Sequence, residues 1–193
     1  MEWIIFGILI GVLKLVWEVR KYSRLEESVD SIEQKIQGLL DFDAADSYIS
    51  DISLTGVAID RGRREFLLVD ESSLRRFPFS SVISCEIRED GVELASANRG
   101  SRLAGMALGG VVAGGVGALI GGLYGSQRID SNVEKLVLRF VTDDFHRPNH
   151  DIVLLDWSRE KNGGDRDDPY YREMLETAEL WHGRVMATMK AGD

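Results

Sequence analysis

Cysteine is almost absent from this chain, and with Cys85 alone no intrachain disulfide framework can form, which fits a reducing compartment. Positive charge is also short. Lysine and arginine total 23 against 32 aspartates and glutamates, a formal net charge of −9. Phosphate backbones need a basic surface, so non-specific nucleic-acid binding is excluded, and anionic lipid is a poor partner for the bulk of the chain. The usual catalytic signatures are missing as well. No GKS or GKT provides a P-loop, and Gly115, Gly117 and Gly121 give GxGxxxG in place of the dinucleotide fingerprint, after a glycine-broken run instead of a clean strand. His146 and His150, with Asp143, Asp144 and Asp151, surround Pro148 in a turn without a helix to set two histidines on one face, so they read as a polar loop and not a metal site. Asp165, Asp167 and Asp168 lack the EF-hand spacing and its terminal glutamate. Cys85 has no evident base partner and falls on an alternating strand, as a small buried hydrophobe does. These gaps point to a non-enzyme with no cofactor and no metal.

What is present begins with enough apolar material, 44% of 193 residues, for one domain plus appendages. Trp3 to Leu13 is uncharged and apolar, Lys14 interrupts, and Leu15, Val16 and Trp17 continue to Glu18. We read residues 1–20 as a short transmembrane anchor in which Lys14 snorkels and tryptophans lie at both interfaces. A cleaved signal peptide wants positive charge before the apolar run, whereas Glu2 precedes this one and Arg20, Lys21 and Arg24 follow it. That asymmetry predicts a single pass in the inner (cytoplasmic) membrane, N-terminus out and the remainder cytoplasmic. An amphipathic core helix is the alternative.

Over 21–42 the apolar residues Tyr22, Leu25, Val29, Ile32, Ile36 and Leu39 recur at heptad spacing between acidic and amide residues, on a helix expected to continue from the anchor. The seam is shorter than the usual coiled-coil threshold, and it suits either a dimer or packing on the chain's own β domain.

After Phe42 the period is that of strands. Ser53 to Asp60 and Glu65 to Asp70 flank Arg61, Gly62, Arg63 and Arg64 as a hairpin. Leu74 to Phe79 makes a third strand, and Val82 to Arg88 and Val92 to Ala97 flank an Asp90-Gly91 turn. Val133 to Thr142 and Asp151 to Leu155 complete seven. A polar linker from Ser158 leads to a helix over 168–191 with Asp168 as cap and Pro169 in the first position; its stripe of Tyr171, Met174, Ala178, Trp181 and Val185 needs an apolar sheet to cover. Arg61, Arg63 and Arg64 are a possible anionic-ligand loop, although Asp60 and Glu65 offset them and a solvated turn accounts for them too.

Between the fifth and sixth strands, Leu103 to Gly125 holds 23 residues without a charge. Small residues at Gly105, Gly109, Ala113, Gly117, Gly121 and Gly125 form a glycine zipper, with a parallel register at Gly110, Gly114, Ala118 and Gly122. On a helix such registers leave a groove in which another backbone can approach closely. So much glycine is a liability in a helix unless packing or a membrane compensates. Strands on both sides must reach one barrel, so a single crossing is excluded, and two crossings would need about 40 apolar residues. A hairpin of two short helices bending near Gly114 and Gly115 remains, either inserted part-way into one leaflet, assembled with other copies, or packed on its own chain.

Seven short strands and a C-terminal helix are the order of a pleckstrin-homology-like (PH-like) domain. The stretches Leu54-Thr55-Gly56-Val57-Ala58-Ile59-Asp60 and Phe77-Pro78-Phe79-Ser80-Ser81-Val82-Ile83, the zipper from Gly109 to Gly122, and Tyr171 with Ala178, Glu179 and Trp181 resemble a group of bacterial membrane-anchored proteins with such a domain. The resemblance runs from Leu54 to Val185, and its motifs are structural, so it implies a fold and a membrane address and no catalytic activity. The expectation is an α+β chain whose PH-like barrel or sandwich over 48–191 carries the inserted hairpin 103–125. Its partners would be membrane lipid through the anchor, further copies of itself and a protein of unknown identity. Its function would be that of an interaction scaffold that self-associates through the zipper. A membrane-perturbing, pore-like effector in stress or phage defence is the alternative.

Overall fold

Apolar periodicity switches from helical to strand-like near Phe42, and in the computed structural model, which describes residues 2–44, 46–70, 73–98 and 132–190, the chain divides there into two units, 1–42 and 43–193. Every zipper position from Gly105 to Gly125 lies outside the described residues.

In the first unit a single helix, α1 (Glu2–Gln37), runs through both the apolar and the heptad segments. Leu25, Val29, Ile32 and Leu39 are half-buried and Ile36 is buried, whereas Glu26, Glu27, Asp30, Glu33, Gln34 and Lys35 are exposed. Nearer the N-terminus Val12, Leu13, Leu15, Val16, Trp17 and Val19 are all exposed, a broad apolar face with the exposed Lys14 on the opposite side of the helix. Among the described residues no helix is long and apolar enough to cross a membrane. The physical reason is that Lys14 and Glu18 break the run that begins at Trp3.

The second unit has two four-stranded sheets. One is ordered β1 (Asp46–Ile49), β2 (Gly56–Asp60), β3 (Glu65–Asp70), β4 (Ser73–Pro78). The other is ordered β6 (Val92–Asn98), β5 (Val82–Glu89), β8 (Lys135–Thr142), β9 (Asn149–Asp156). All pairings are antiparallel. A short pair, β7 (Asn132–Val133) with β10 (Gly164–Asp165), stands beside them. The inner faces meet in a core built from Val57, Ile59, Phe66, Leu68, Ile87, Leu136, Leu138, Phe140, Ile152 and Leu154. Helix α2 (Pro169–Lys190) adds Tyr171, Ala178, Trp181, Val185, Met186 and Met189 to that core and packs on the β6–β5–β8–β9 sheet. This mixed α+β arrangement fits a PH-like fold.

The details depart from the expected seven strands. First, β1 is an additional strand: its four residues are too few for a readable alternation, and its place is set by pairing with β2. Residues 50–55 form a turn with Leu54 at φ 52°, so β2 starts at Gly56 and not at Ser53. Second, the stretch from Val133 is broken at Glu134, because Asp90 Oδ1 accepts the N–H groups of Glu134 (3.0 Å) and Lys135 (2.8 Å). Third, Phe79 leaves the third expected strand for a 3-10 turn, Phe79–Ser81. The Asp90-Gly91 turn has positive φ at both residues (49° and 80°), the primed geometry that matches strand twist. Asp168 Oδ1 accepts the Tyr170 N–H (2.8 Å) and caps α2 with Pro169 in its first position.

Candidate functional site

The arginine loop sits between β2 and β3 and is organised by a buried acid. Asp60 accepts main-chain N–H groups from Asp43 (2.9 Å) and Arg63 (2.8 Å). These bonds, that of Asp43 foremost, hold its carboxyl below the usual carboxylate range. Arg61 reaches Asp46 on β1 (2.6 Å) and not its sequence neighbours, and Asp46 also receives Arg184 from α2 (2.9 Å). Arg184 in turn lies over the Trp181 ring, 4.8 Å from its centroid. Arg64 occupies a left-handed position (φ 60°).

A denser constellation, of which the sequence pattern marks only the polar loop with Asp144 and His150, lies between β4 and the β8–β9 loop. Arg75 contacts Asp144 (Nη1 to Oδ2, 3.0 Å), Asp70 (Nη2 to Oδ2, 3.2 Å) and the ring Nδ1 of His150 (3.0 Å). Arg147 reaches the same Asp70 oxygen (3.1 Å). His150 is buried against the edge of Phe77, and burial together with the nearby Arg75 charge lowers its pKa, so the neutral ring can accept from the guanidinium. His146, the other histidine of this loop, is exposed and bonded through its N–H to Asp144 (2.9 Å), so the two rings are not brought together. Among the described residues no group of three or more histidine, cysteine, aspartate or glutamate side chains converges as metal ligands would.

A third cluster is fully interior. Glu89 at the end of β5 is 1% exposed and accepts from Arg166 (2.6 Å) and from the Tyr171 hydroxyl of α2. Burial, then the bond to Glu89, pushes the Tyr171 phenol up. The three residues tie β5, the linker after β10 and the first turn of α2 into one body. Asp165, Asp167 and Asp168 are committed locally: Asp165 accepts the Asp167 N–H (2.9 Å), Asp167 pairs with Arg172 (2.7 Å), and Asp168 caps the helix. Cys85 is wholly buried, and burial raises its thiol pKa far above the reactive range.

Within each of these clusters the carboxylates are paired with arginine or hydrogen-bonded. None of them sets an activated nucleophile beside a base. Local patterning marked Asp144 and His150 as one polar loop but carried no signal for their link to Asp70 and Arg75, or for the Glu89 network, because the partners come from different elements.

The segment 103–125 leaves β6 and returns ahead of β8, and both strands belong to one sheet. Both ends of the segment are therefore attached to a single body.

Among known proteins, the profile of the family described as "Glycine zipper containing PH domain" matches residues 46–156, more than half of the chain. The chain is 27% identical over 195 residues to the SPbeta prophage-derived uncharacterized membrane protein YomJ of Bacillus subtilis (strain 168), with 95% of this chain and 83% of that protein covered. It is 32% identical over 117 residues to a protein of Bacillus phage SPbeta named "Immunity protein", with 58% of this chain and 56% of that protein covered. No solved structure matches it significantly.

Proposed function

Because the chain belongs to the family of glycine-zipper-containing PH domains, we propose that it is a non-enzymatic, membrane-held interaction protein that self-associates through the small-residue registers of 103–125. The observation that carries this reading is the exposed apolar face of α1. Six apolar residues, Val12, Leu13, Leu15, Val16, Trp17 and Val19, stand exposed on one broad face of the helix. An apolar face this broad is stable where lipid or protein covers it. The proposed anchor is a short one, with Lys14 reaching the headgroups and Trp17 in the interface, and with Arg20, Lys21 and Arg24 holding the following chain on the cytoplasmic side. The relative named as a membrane protein supports the same address. Attachment of both ends of 103–125 to one sheet supports a segment that goes out and returns on one side. The partner protein is unassigned, and the closed ion networks suit a rigid platform for one.

The test combines fractionation with cross-linking. Full-length protein should stay in the membrane pellet after alkaline extraction and give oligomers on cross-linking. Gly117→Leu or Gly121→Leu should reduce those oligomers at least about tenfold by filling the groove. Extraction into the supernatant would overturn the anchor, and undiminished oligomers would overturn the zipper.

A second reading is favoured by the phage relative's name, immunity protein. On this reading the chain acts in conflict between phage and host, and as an effector it would perturb the membrane through the same segment. Expression that depolarises cells, and stops doing so with Gly117→Leu, would put that reading first.

A further inference from the structure

Phe145, in the loop 143–148 joining β8 to β9, is 93% exposed, while other exposed large hydrophobics of the second unit such as Val92 and Leu180 stand near half exposure. The loop holding it is fixed. The Thr142 N–H bonds the Pro148 carbonyl (2.7 Å), the Asp143 N–H bonds the Ser81 carbonyl (2.9 Å), and Asp144 Oδ1 accepts the N–H groups of His146 (2.9 Å) and Arg147 (3.2 Å). Phe145 is therefore held outward by a built turn, with the His146 ring edge-on at 5.5 Å.

The carboxylates around the tip are all hydrogen-bonded. Asp143 accepts from the Ser81 hydroxyl (3.1 Å), Asp144 from Arg75 (3.0 Å), and Asp70 from both Arg75 (3.2 Å) and Arg147 (3.1 Å). The loop shows Phe145, His146, Arg147 and Pro148 to its surroundings, beside the exposed but hydrogen-bonded Asp143. Register places this tip at a defined end of its sheet. Val82 pairs with Thr142 and Ser84 with Asn98, so the loop projects from the end where β6 finishes.

Resting on the reading of the chain as membrane-held, we propose that the β8–β9 loop is a second membrane contact, with Phe145 inserted into the interfacial layer of the same bilayer and Arg147 among its headgroups. A protein partner would call for a broader desolvated patch around its anchor. A lone outward aromatic beside the exposed Arg147, on a hydrogen-bonded turn, matches the layered chemistry of a lipid interface. One phenylalanine binds weakly by itself, and the anchor makes its insertion intramolecular, at high effective concentration.

The test uses the full chain in vesicles of equimolar phosphatidylcholine and phosphatidylglycerol. An environment-sensitive fluorophore is placed on His146→Cys, on Leu13→Cys for the anchor, or on Glu160→Cys at the opposite end of the β8–β9 pair; Cys85, wholly buried, stays. Lipid carrying a shallow spin label should quench the probe at 146 at least about threefold more than the probe at 160. Phe145→Ser should bring the 146 signal down to that of 160. If 13 is quenched and 146 matches 160, the loop contact is overturned and the anchor stands. If neither 13 nor 146 is quenched, both fall. Quenching at 146 that survives Phe145→Ser overturns the role of the phenylalanine.

Discussion

His182 and Glu179 lie one turn apart on α2 and respond to pH in opposite directions. His182 is buried, its Nε2 has no hydrogen-bond partner among the described residues, and burial lowers its pKa from 6.5 to about 4. Below pH 6.5 the unfolded chain takes up a proton that the folded one refuses, so stability from His182 is present above that value and is lost as pH falls towards about 4. Glu179 is half-buried, with Oε1 unpartnered, and burial, aided by the Glu176 charge, raises its pKa from 4.5 to about 7. Its contribution is present below pH 4.5 and is lost as pH rises to about 7. The opposed slopes flatten the wild-type profile between them. Glu179→Gln should leave urea midpoints that rise with pH across this window, and His182→Leu midpoints that fall. His182 contributes more of the two, on the order of 2 kcal/mol, since Glu179 is partly solvated.

The ion pairs divide by burial at the same scale. Arg166→Ala strips the buried Glu89 of its cation and should cost about 2–4 kcal/mol in denaturant unfolding. Arg61→Ala removes a pair whose arginine side chain is 71% exposed, and should cost about 0–1 kcal/mol.

Among the elements, β9 is a sheet edge that is closed by side chains and not by another strand. Ser50, itself fully buried, donates to the Val153 carbonyl (2.5 Å), and Thr55 donates to that of Asp151 (3.0 Å). The turn 50–55 thus occupies edge carbonyls on which another chain could otherwise pair. Ser50→Ala should cost about 1–3 kcal/mol, read in thermal unfolding, because it leaves the Val153 carbonyl and the N–H groups of Ile52 and Ser53 without their partner. Gly56 serves a neighbouring need. A Cβ there would lie 2.4 Å from the Tyr48 carbonyl, so only glycine lets β1 approach β2, and Gly56→Ala should detach β1, seen as faster amide exchange over residues 46–49. The elements with strong local signals were legible in advance: the Asp90-Gly91 hairpin, the capped α2 and the alternation of β5 and β8. The strand β1 was not, because four residues carry too little pattern and its partner alone defines it.

For the whole molecule, the division at Phe42 separates a helix rich in exposed apolar surface from a closed β unit. A fragment beginning at Asp43 should unfold cooperatively and remain in the supernatant of a membrane fractionation from which the full chain pellets; a fragment that pellets equally would move the membrane contact into the second unit. Of the candidate site, the sequence made the zipper and the arginine loop visible because both are contiguous. The networks of Arg75 and Glu89 were invisible because their members meet across the fold.

By itself the sequence determined whatever depends on near neighbours. Helical and strand periods, the turn at Asp90-Gly91, the cap at Asp168-Pro169, the want of disulfide and nucleotide-binding motifs, and the uncharged stretch of small residues all follow from intrinsic backbone preference and local burial. Tertiary structure alone decided which carboxylate meets which arginine, that Ser50 and Thr55 close the edge of β9 from about a hundred residues away, that His182 is buried neutral, and that Phe145 is held out of the core. Such outcomes rest on desolvation and partner geometry, which exist only once distant segments have packed together.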